Sequence, residues 1–441
     1  MTKPTNVRWS VFSLAFATSA MLYLHRYVFA GIKSTLAEEW GLSNDDLGKL
    51  DSAFSACYTL FQFPLAILAD VAGVHLVLTG LIVVWCGGLA MMAWAPSAKL
   101  MWFGQALLGT GQSAVYACLN RVARIWFPQQ VRTTMQGAVG ILAGRLGALS
   151  SSLVFVSLML DTLGIPWRTA IWILVAMGVA NLLLFATVFR NSPREHPGVN
   201  DAEAHLIEGD ASPSVDQKPR PPGITTLLRS LTPRSLLNLI WLSVQNALST
   251  FADNIYSNWI PLFLAQVHGL KFREMGFCWA LPLLGGALAG VVGGKLNDLW
   301  IARTGSRRWS RAGVAIVGKG LAAVLMFAAL QFFDRPYVFC SFLFFIKLFG
   351  DWSLASSWGV VSDIGGKATA SVFAFSNTVA GISLIVAPRV FGYVSDHHGW
   401  RPVFAIVGVT YALCALSWLV IDCTIPVVRE SPAEEDQPSN V

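Results

Sequence analysis

The stretch WSVFSLAFATSAMLYLHRYVFAGI, residues 9–32, decides the fold class. It is a nearly unbroken apolar run, and a membrane with a hydrocarbon core of about 30 Å requires roughly 20 such residues in a helix. The run is about two dozen residues long, which favours a retained helix over the shorter apolar region of a removable signal peptide. Arg26 lies deep within it, where a charge that faces lipid costs at least about 2.5–3.5 kcal/mol. We therefore expect Arg26 to face a polar interior.

The composition of the whole chain is typical of a membrane protein. Of its 441 residues, 54% are hydrophobic and 13% are charged, whereas soluble domains carry about 25% charged residues. The formal net charge of +6 therefore reflects basic loops and not a nucleic-acid partner. The seven cysteines are scattered, without a CxxC motif or a cluster with histidine, so we expect no metal site, no disulfide framework and no cofactor.

Apolar runs predict an all-α integral membrane protein with twelve transmembrane helices in two six-helix bundles. A segment rich in proline and charge, residues 190–235, lies between the sixth and seventh runs and is typical of a linker outside the membrane. It separates an N-terminal bundle, 1–189, from a C-terminal bundle, 236–425, which a polar tail, 426–441, follows. The runs are 9–32, 48–71, 75–95, 99–123, 134–159, 168–189, 236–266, 274–297, 312–333, 337–361, 368–394 and 402–424.

Basic residues in the short loops indicate the orientation. They are concentrated on one side of the predicted membrane, for example at Arg121, Arg124 and Arg303, and in the linker. Because basic loops stay in the cytoplasm, we expect the linker and both termini to be cytoplasmic and the chain to lie in the cytoplasmic (inner) membrane.

The two halves of the sequence echo one another. Asp70 in ILADVAG follows the second run, and Asp298 in KLNDLWIARTG follows the eighth, 228 residues later. Arg168 and Arg401 open the sixth and twelfth runs and are 233 residues apart. Such near-constant offsets indicate a duplicated six-helix unit, the parallel-repeat plan found in secondary transporters.

With these features the chain resembles the major facilitator superfamily over nearly its full length. The loop motif of that superfamily is recognisable twice, as AILADVAGVH and GKLNDLWIARTG, although Ala66 replaces the leading glycine of the first copy. In the superfamily this motif latches helices together at the cytoplasmic face. The resemblance therefore implies that Asp70 and Asp298 mark gating loops.

Within that superfamily the chain is most similar to the anion:cation symporter family of organic-acid transporters. The similar segments are YLHR, EEWGLSNDDLGKLDSAFSACYTLFQFPLAILAD, ARIWFPQQVRTTMQG, EHPGVNDAE, SNWIPLFLAQ and FSNTVAGISLIVAP. The resemblance implies import of acidic sugars or other carboxylates, often with protons. It also implies that Tyr58, Gln112 and Asn377 help to bind substrate, although each is equally suited to a hydrogen bond between helices.

The sequence departs from this family where acids that couple transport to protons are expected. His25 directly precedes Arg26 in place of an acid, and Gln105 and Gln112 replace an arginine and an acid in the fourth run. Either His25 has taken over proton transfer, or the coupling differs, or protons do not drive transport. A histidine exchanges protons near neutral pH, but the adjacent arginine charge opposes this. A neutral His25 that donates a hydrogen bond to substrate is therefore an alternative.

Five charged residues are expected at membrane depth. Arg26 presents a planar fork that suits a carboxylate or phosphate, which favours an anion site over a structural pair with another helix. Arg145 lies near the midplane between glycines and suits either substrate binding or close packing. Lys347 and Asp351, spaced i,i+4, share a helix face. They form a structural ion pair, or the pair opens while Asp351 binds a proton or cation and Lys347 attracts the anion. Asp253 is a second candidate carrier.

These residues predict a cavity of net positive charge, which favours an anionic ligand. The sequence therefore predicts a transporter, not an enzyme, that moves a small organic anion such as a sugar acid by alternating access. His25, Asp253 and Asp351 are the coupling candidates, and Lys319 is shallow enough to extend to the membrane surface. An organophosphate/phosphate antiporter of the same fold and a non-transporting solute sensor are the alternatives. No P-loop or hydrolase motif supports an enzyme, and we expect a monomer.

Overall fold

The computed structural model describes residues 3–208, 232–365 and 369–426, and every regular element in these ranges is a helix. The α-helices are α1 Val7–Arg26, α2 Val28–Trp40, α3 Asn44–Ala72, α4 Val74–Trp94, α5 Ala98–Gln112, α6 Val115–Trp126, α7 Gln129–Gly137, α8 Ala143–Ser150, α9 Trp167–Val188, α10 Asp201–Glu208, α11 Pro233–Asn258, α12 Ile260–His268, α13 Phe272–Thr304, α14 Arg307–Ala329, α15 Pro336–Gly350, α16 Trp352–Gly365, α17 Thr369–His398 and α18 Trp400–Ser417. Two stretches, Ala138–Leu142 and Ser151–Thr162, continue α7 and α8 as π-helix.

Ten helical stretches in the described ranges are long and apolar enough to cross a membrane, which makes this a multi-pass membrane protein. They match ten of the twelve predicted runs. The runs 99–123 and 236–266 do not qualify, because α5 and α6 are each short and α11 carries many polar residues. The count of twelve therefore stays a prediction. The ten are Val7–Trp40, Asn44–Ala72, Val74–Trp94, Thr134–Thr162, Trp167–Val188, Phe272–Thr304, Arg307–Phe332, Pro336–Gly365, Ser371–His398 and Trp400–Ser417.

Four of the twelve predicted runs are broken within their length. The breaks lie at Tyr27 between α1 and α2, at Ser113 after α5, at Trp259 between α11 and α12, and at Asp351 between α15 and α16. These are the first, fourth, seventh and tenth runs, so the breaks recur at equivalent places in each half. Trp259 follows Tyr27 by 232 positions and Asp351 follows Ser113 by 238. These offsets agree with the duplication seen in the sequence.

The predicted linker and tail lie only partly within the described residues. Residues 209–231 and 427–441 are outside them, whereas the start of the linker forms the short helix α10. Glu203 of α10 is fully buried and accepts hydrogen bonds from the hydroxyl of Thr5 (2.5 Å) and from the backbone N–H groups of Val7 (3.2 Å) and Arg8 (3.1 Å). A carboxylate in this position satisfies the free N–H groups at the start of α1.

The two halves of the chain meet through a few pairs of helices. α3 packs along α17, the π-helical stretch after α8 packs against α13, and α2 packs against α12. A Cβ atom on Gly48 would lie 2.5 Å from the carbonyl oxygen of Pro388, and one on Gly392 would lie 2.4 Å from that of Asn44. Glycine is therefore required at both positions, since only a residue without a side chain lets α3 and α17 approach this closely.

Hydrogen bonds identify the two ends of the helices. At one end, Arg168 at the start of α9 pairs with Glu39 at the end of α2 (2.7 Å). At the other end, Arg121 of α6 pairs with Asp70 of α3. We call the second the linker end, because the first residues of the linker are bonded there to the start of α4, and the first the distal end.

Hydrogen bonds between the two halves are concentrated toward the distal end. The backbone N–H groups of Asn44 and Asp45 donate to Asp396 near the end of α17 (3.0 and 2.8 Å), and Ser52 donates to the carbonyl of Ile385 (2.8 Å). Further bonds of Asn44 and Asp45 to the second half lie at the same end, and the remaining ones extend toward the middle of the helices. In the described ranges, no hydrogen bond or ion pair joins the linker ends of the two halves.

Candidate functional site

Arg26 lies at the end of α1, directly before the break at Tyr27. Its guanidinium carbon is 4.9 Å from the ring centroid of Tyr23, 5.3 Å from that of Phe54 and 4.8 Å from that of Tyr58. Aromatic faces attract a cation at these distances. We call these three rings the aromatic cage. The predicted site residues Arg26 and Tyr58 are thus in contact, and Tyr23 and Phe54 complete their surroundings.

Gln112 holds the guanidinium from the other side. Arg26 donates from Nε to the side-chain carbonyl of Gln112 (3.0 Å), and the amide nitrogen of Gln112 donates to the backbone carbonyl of Leu22 (3.1 Å). Both polar atoms of this fully buried amide are therefore occupied, which fixes its orientation. Nη2 of Arg26 is buried without a hydrogen-bond partner. The arrangement positions the arginine with neutral groups and leaves a donor unused.

A second group of charges lies at the break between α15 and α16. Lys347 donates to Asp253 (2.8 Å) and to Asp351 (2.7 Å), so the i,i+4 pair expected from the sequence is formed and a second carboxylate joins it. Tyr411 donates its hydroxyl to Asp253 (2.9 Å), and Arg145 donates to Asp351 (3.3 Å). We call these five residues the ionic cluster.

The ionic cluster connects the two halves of the molecule, because Arg145 belongs to the first half and the other members to the second. Gly286 of α13 packs against it, and a Cβ atom there would lie 2.8 Å from both Arg145 Nη1 and Asp351 Oδ2. Each carboxylate is matched by a cation. Among the described residues no group of three or more His, Cys, Asp and Glu side chains is placed to hold a metal ion.

The position of Lys319 in the sequence suggested that its side chain extends to the membrane surface, but the structure places it in the interior. It is fully buried and donates to the hydroxyl of Ser249 (2.7 Å), and its Nζ lies 4.9 Å from the ring centroid of Tyr411. The interior position gives Lys319 a polar partner and an aromatic face, so that the ammonium does not need to reach water.

Ser249 and the predicted site residue Asn377 line a cavity of about 240 Å³ in the second half of the chain. Its wall is rich in amides and hydroxyls, which can donate to and accept from a polyhydroxy compound without burying a charge. The polar residues in the wall are Gln245, Asn246, Ser249, Ser353, Ser357, Ser376 and Asn377.

His25 is placed apart from these groups. It is fully buried, and its ring packs edge-to-face against Trp85 with the centroids 6.3 Å apart. A Cβ atom on Gly178 of α9 would lie 3.2 Å from His25 Cε1, so the ring fills the space between α4 and α9. The structure therefore does not bring His25 together with the aromatic cage, and its role in binding or coupling stays a prediction.

The two predicted gating aspartates differ in their surroundings. Asp70 pairs with Arg121 at the linker end, beside a cavity of about 730 Å³ whose wall also contains Arg124 and Arg132. Asp298 is exposed, and the hydrogen bonds near it are made by the preceding Asn297, whose amide donates to Ser356 (2.9 Å). Their role in gating stays a prediction.

Sequence analysis missed the buried ion pair of Lys33 and Asp51. Lys33 of α2 is fully buried, pairs with Asp51 of α3, and donates to the backbone carbonyl of Asn258 in the other half (2.8 Å). Its Nζ is 4.0 Å from the ring centroid of Trp259. The first run was ended at residue 32, which placed Lys33 at the membrane surface, whereas the helical stretch continues to Trp40. The helical pattern of the sequence beyond residue 32 could have shown that the helix continues and that Lys33 lies inside it.

The comparisons with known proteins agree with this architecture. A probable sulfoacetate transporter of Cupriavidus necator is 28% identical to this chain over 426 residues, covering 94% of the chain and 93% of the relative. A probable galactarate/D-glucarate transporter of Bacillus subtilis is 25% identical over 461 residues, covering 98% and 96%. These relatives are transporters of organic anions, and not enzymes, which confirms the resemblance drawn from the sequence.

A solved structure has the same fold. The inward-facing, unoccupied structure of a bacterial homologue of the human lysosomal transporter Spinster matches 97% of this chain and 99% of its own, with a TM-score of 0.75 at 16% identity. The family model described as Major Facilitator Superfamily matches residues 15–307, well over half of the chain. The chain belongs to the Major Facilitator Superfamily.

Proposed function

We propose that this chain is a secondary transporter that moves a small organic anion across the cytoplasmic membrane and that Arg26 binds the anion. The observation that carries the proposal is the environment of Arg26: a cation deep in a membrane-length stretch, held by Gln112 and the aromatic cage, with Nη2 unpartnered and, among the residues that the structure describes, no carboxylate within 4 Å. A charge in such a place is stabilised by an opposite charge. A carboxylate matches the guanidinium fork.

Sugar acids and related carboxylates are the substrates that we propose first. The relatives are named for sulfoacetate and for galactarate or D-glucarate. The cavity that contains Ser249 and Asn377 offers hydroxyl and amide groups, which suit the hydroxyls of a sugar acid. The cationic groups would then bind the negative charge of the substrate, and the cavity would bind its hydroxyl groups.

Transport would proceed by alternating access between two six-helix bundles. We propose that α5 with α6 and α11 with α12 also cross the membrane, which gives twelve crossings, and that the linker end is cytoplasmic. The concentration of bonds between the halves toward the distal end then corresponds to a conformation that is open to the cytoplasm. The reverse rocking of the halves would open the distal end.

The ionic cluster is the proposed coupling site. Asp351 accepts from Lys347 and from Arg145 of the other half, and Asp253 accepts from Lys347 and Tyr411. A proton on Asp351 would weaken its hold on Arg145 and therefore the contact between the halves. We accordingly propose proton symport, with Asp351 and Asp253 as the carriers.

Uptake into proteoliposomes tests the transport proposal. The substrates are labelled galactarate, sulfoacetate, D-galactonate and glucose 6-phosphate, with and without an inward proton gradient. Arg26→Gln should abolish carboxylate uptake, and the gradient should raise uptake by the wild type. Arg335→Gln is the matched control, because Arg335 is an exposed arginine at the start of α15 whose side chain makes no hydrogen bond in the described residues.

Three results would contradict the proposal in different ways. Full uptake by Arg26→Gln would remove Arg26 from the site. Exchange of the phosphate ester without response to the proton gradient would indicate an organophosphate antiporter. Binding without flux, seen as thermal stabilisation by an anion that is not taken up, would indicate a solute sensor.

A further inference from the structure

The inference starts from the charges inside the helical bundle. In the described part of the chain, eight charged side chains are buried or half-buried and lie roughly two helical turns or more from the ends of their helical stretches. Five are cations and three are carboxylates, so their net charge is +2. The eight are Arg26, Lys33, Arg145, Lys319 and Lys347, with Asp51, Asp253 and Asp351.

The three carboxylates account for three of the five cations. Asp51 pairs with Lys33. Asp351 pairs with Arg145 and Lys347, and Lys347 also pairs with Asp253. Because each of these cations has at least one carboxylate within 4 Å, its charge is compensated within the protein.

Two cations have no such partner, and there is one in each half of the molecule. Arg26 contacts Gln112 and the aromatic cage, and Lys319 contacts the hydroxyl of Ser249 and the ring of Tyr411. Lys319 also interacts electrostatically with Asp253, but that carboxylate already accepts hydrogen bonds from Lys347 and Tyr411. Neutral groups orient both cations without cancelling their charge.

Ser249 connects Lys319 to the cavity of the second half. Its oxygen accepts a hydrogen bond from the ammonium, so its own hydroxyl proton is available to another acceptor. Ser249 also lines the cavity, next to Asn246 and Asn377. An anionic group in that cavity would receive a hydrogen bond that the neighbouring positive charge strengthens.

We propose that the transported substrate is a dianion, with one acidic group bound at Arg26 and the other at Ser249 with Lys319. This inference rests on the proposed function, since it concerns the same transport site. A dianion neutralises both uncompensated charges, whereas a monoanion leaves one of them without an opposite charge. Because the two cations belong to different halves, a ligand with two acidic groups also holds the halves together, as alternating access requires.

Two pairs of compounds that differ in one acidic group test the proposal. Galactarate and D-galactonate share a six-carbon polyhydroxy chain, and a carboxylate of the first is a hydroxymethyl group in the second. Succinate and butyrate apply the same comparison to a shorter chain. Affinities for the purified full chain in nanodiscs would be measured by calorimetry. The wild type should bind at least one dianion about tenfold or more tightly than its monoanion partner, as one charge-assisted contact provides.

Variants then locate the second acidic group. Lys319→Gln and Ser249→Ala should each reduce the dianion preference to about threefold or less, because each variant lowers the affinity for the dianion more than the affinity for its monoanion partner. Ser249→Ala keeps the buried lysine and so covers the case in which Lys319→Gln does not fold. Ser243→Ala is the control. Ser243 is a buried serine of α11, like Ser249, but its hydroxyl donates to the backbone carbonyl of Leu239 in the same helix.

The outcomes separate this inference from the proposed function. Equal binding of the dianion and the monoanion in both pairs would overturn the inference and leave an organic-anion transporter in place. A dianion preference that Lys319→Gln and Ser249→Ala do not change would also overturn it, because the second acidic group would then bind elsewhere. Failure to bind any of the four compounds would contradict the proposed function as well.

Discussion

Arg26 and Lys347 are both cations at breaks in membrane-length helices, but the chain surrounds them differently. Arg26 has an amide and three aromatic rings, whereas Lys347 has two carboxylates. Neutral partners hold a cation in place and leave its charge available to a ligand, while carboxylates neutralise it and make it part of the structure. Depth in the membrane alone therefore does not identify a binding group. Its partners decide.

The largest effect that this comparison predicts is on the stability of Lys347→Met. The side chain of Lys347 is 7% exposed and that of Asp351 is 1% exposed, and removing one member of a buried pair costs about 3–5 kcal/mol because a carboxylate is left uncompensated. We expect a large fall in the melting temperature of the detergent-solubilised protein. The double variant Lys347→Met/Asp253→Asn should recover part of the loss, since it removes the carboxylate that has lost its cation, whereas Asp351 keeps its ion pair with Arg145.

Arg26→Gln is the matched comparison for stability. It removes a cation of similar depth but leaves no carboxylate without a partner, so we expect a loss of only about 1 kcal/mol, the usual net value of one hydrogen bond. A fall in melting temperature as large as that of Lys347→Met would contradict the distinction between the two sites. A small fall together with lost anion binding would support it.

Sequence reasoning found the members of these sites that helical spacing places together. The i,i+4 pair of Lys347 and Asp351 could be predicted, because it depends on one helix alone. The bond between Arg145 and Asp351 could not be predicted, since these residues are 206 positions apart and meet only through the packing of the two halves. Likewise, His25 and Arg26 are adjacent in sequence but project from different faces of α1, because successive residues of a helix are about 100° apart.

Ten of the twelve predicted runs match membrane-length helices, and two of the differences from the predicted runs have clear physical causes. The run 99–123 appeared as one span, but the chain breaks at Ser113 between α5 and α6. The first run was ended too early, because Lys33 looked like a surface residue. The ion pair of Lys33 with Asp51 and its contact with Trp259 stabilise the buried ammonium. Neither partner is close to Lys33 in the sequence.

A smaller effect is expected for Arg145→Gln, which removes the contact of the ionic cluster with the first half. The Arg145 side chain is 30% exposed and its bond to Asp351 is long, so we expect a change of about 1 kcal/mol, or about fivefold, in the balance between open and closed conformations. Spin labels at positions 124 and 303, exposed at the linker ends, would measure that balance in a Cys57→Ser background, since the other six native cysteines are buried. Unchanged distance distributions would show that the contact does not bias the conformations.

The smallest effect is expected for Asp70→Asn at the linker end. Asp70 is 71% exposed and its partner Arg121 is 36% exposed, and an ion pair in contact with water contributes only about 0–1 kcal/mol. Salt should distinguish it from the buried cluster, because added ions screen exposed charges and hardly affect buried ones. The difference in melting temperature between Asp70→Asn and the wild type should therefore vanish at about 1 M salt, where the Debye length is about 3 Å, while the deficit of Lys347→Met persists. A salt-resistant deficit in Asp70→Asn would mean that this pair is shielded from water and holds α3 to α6 in the same way that the ionic cluster holds its own helices.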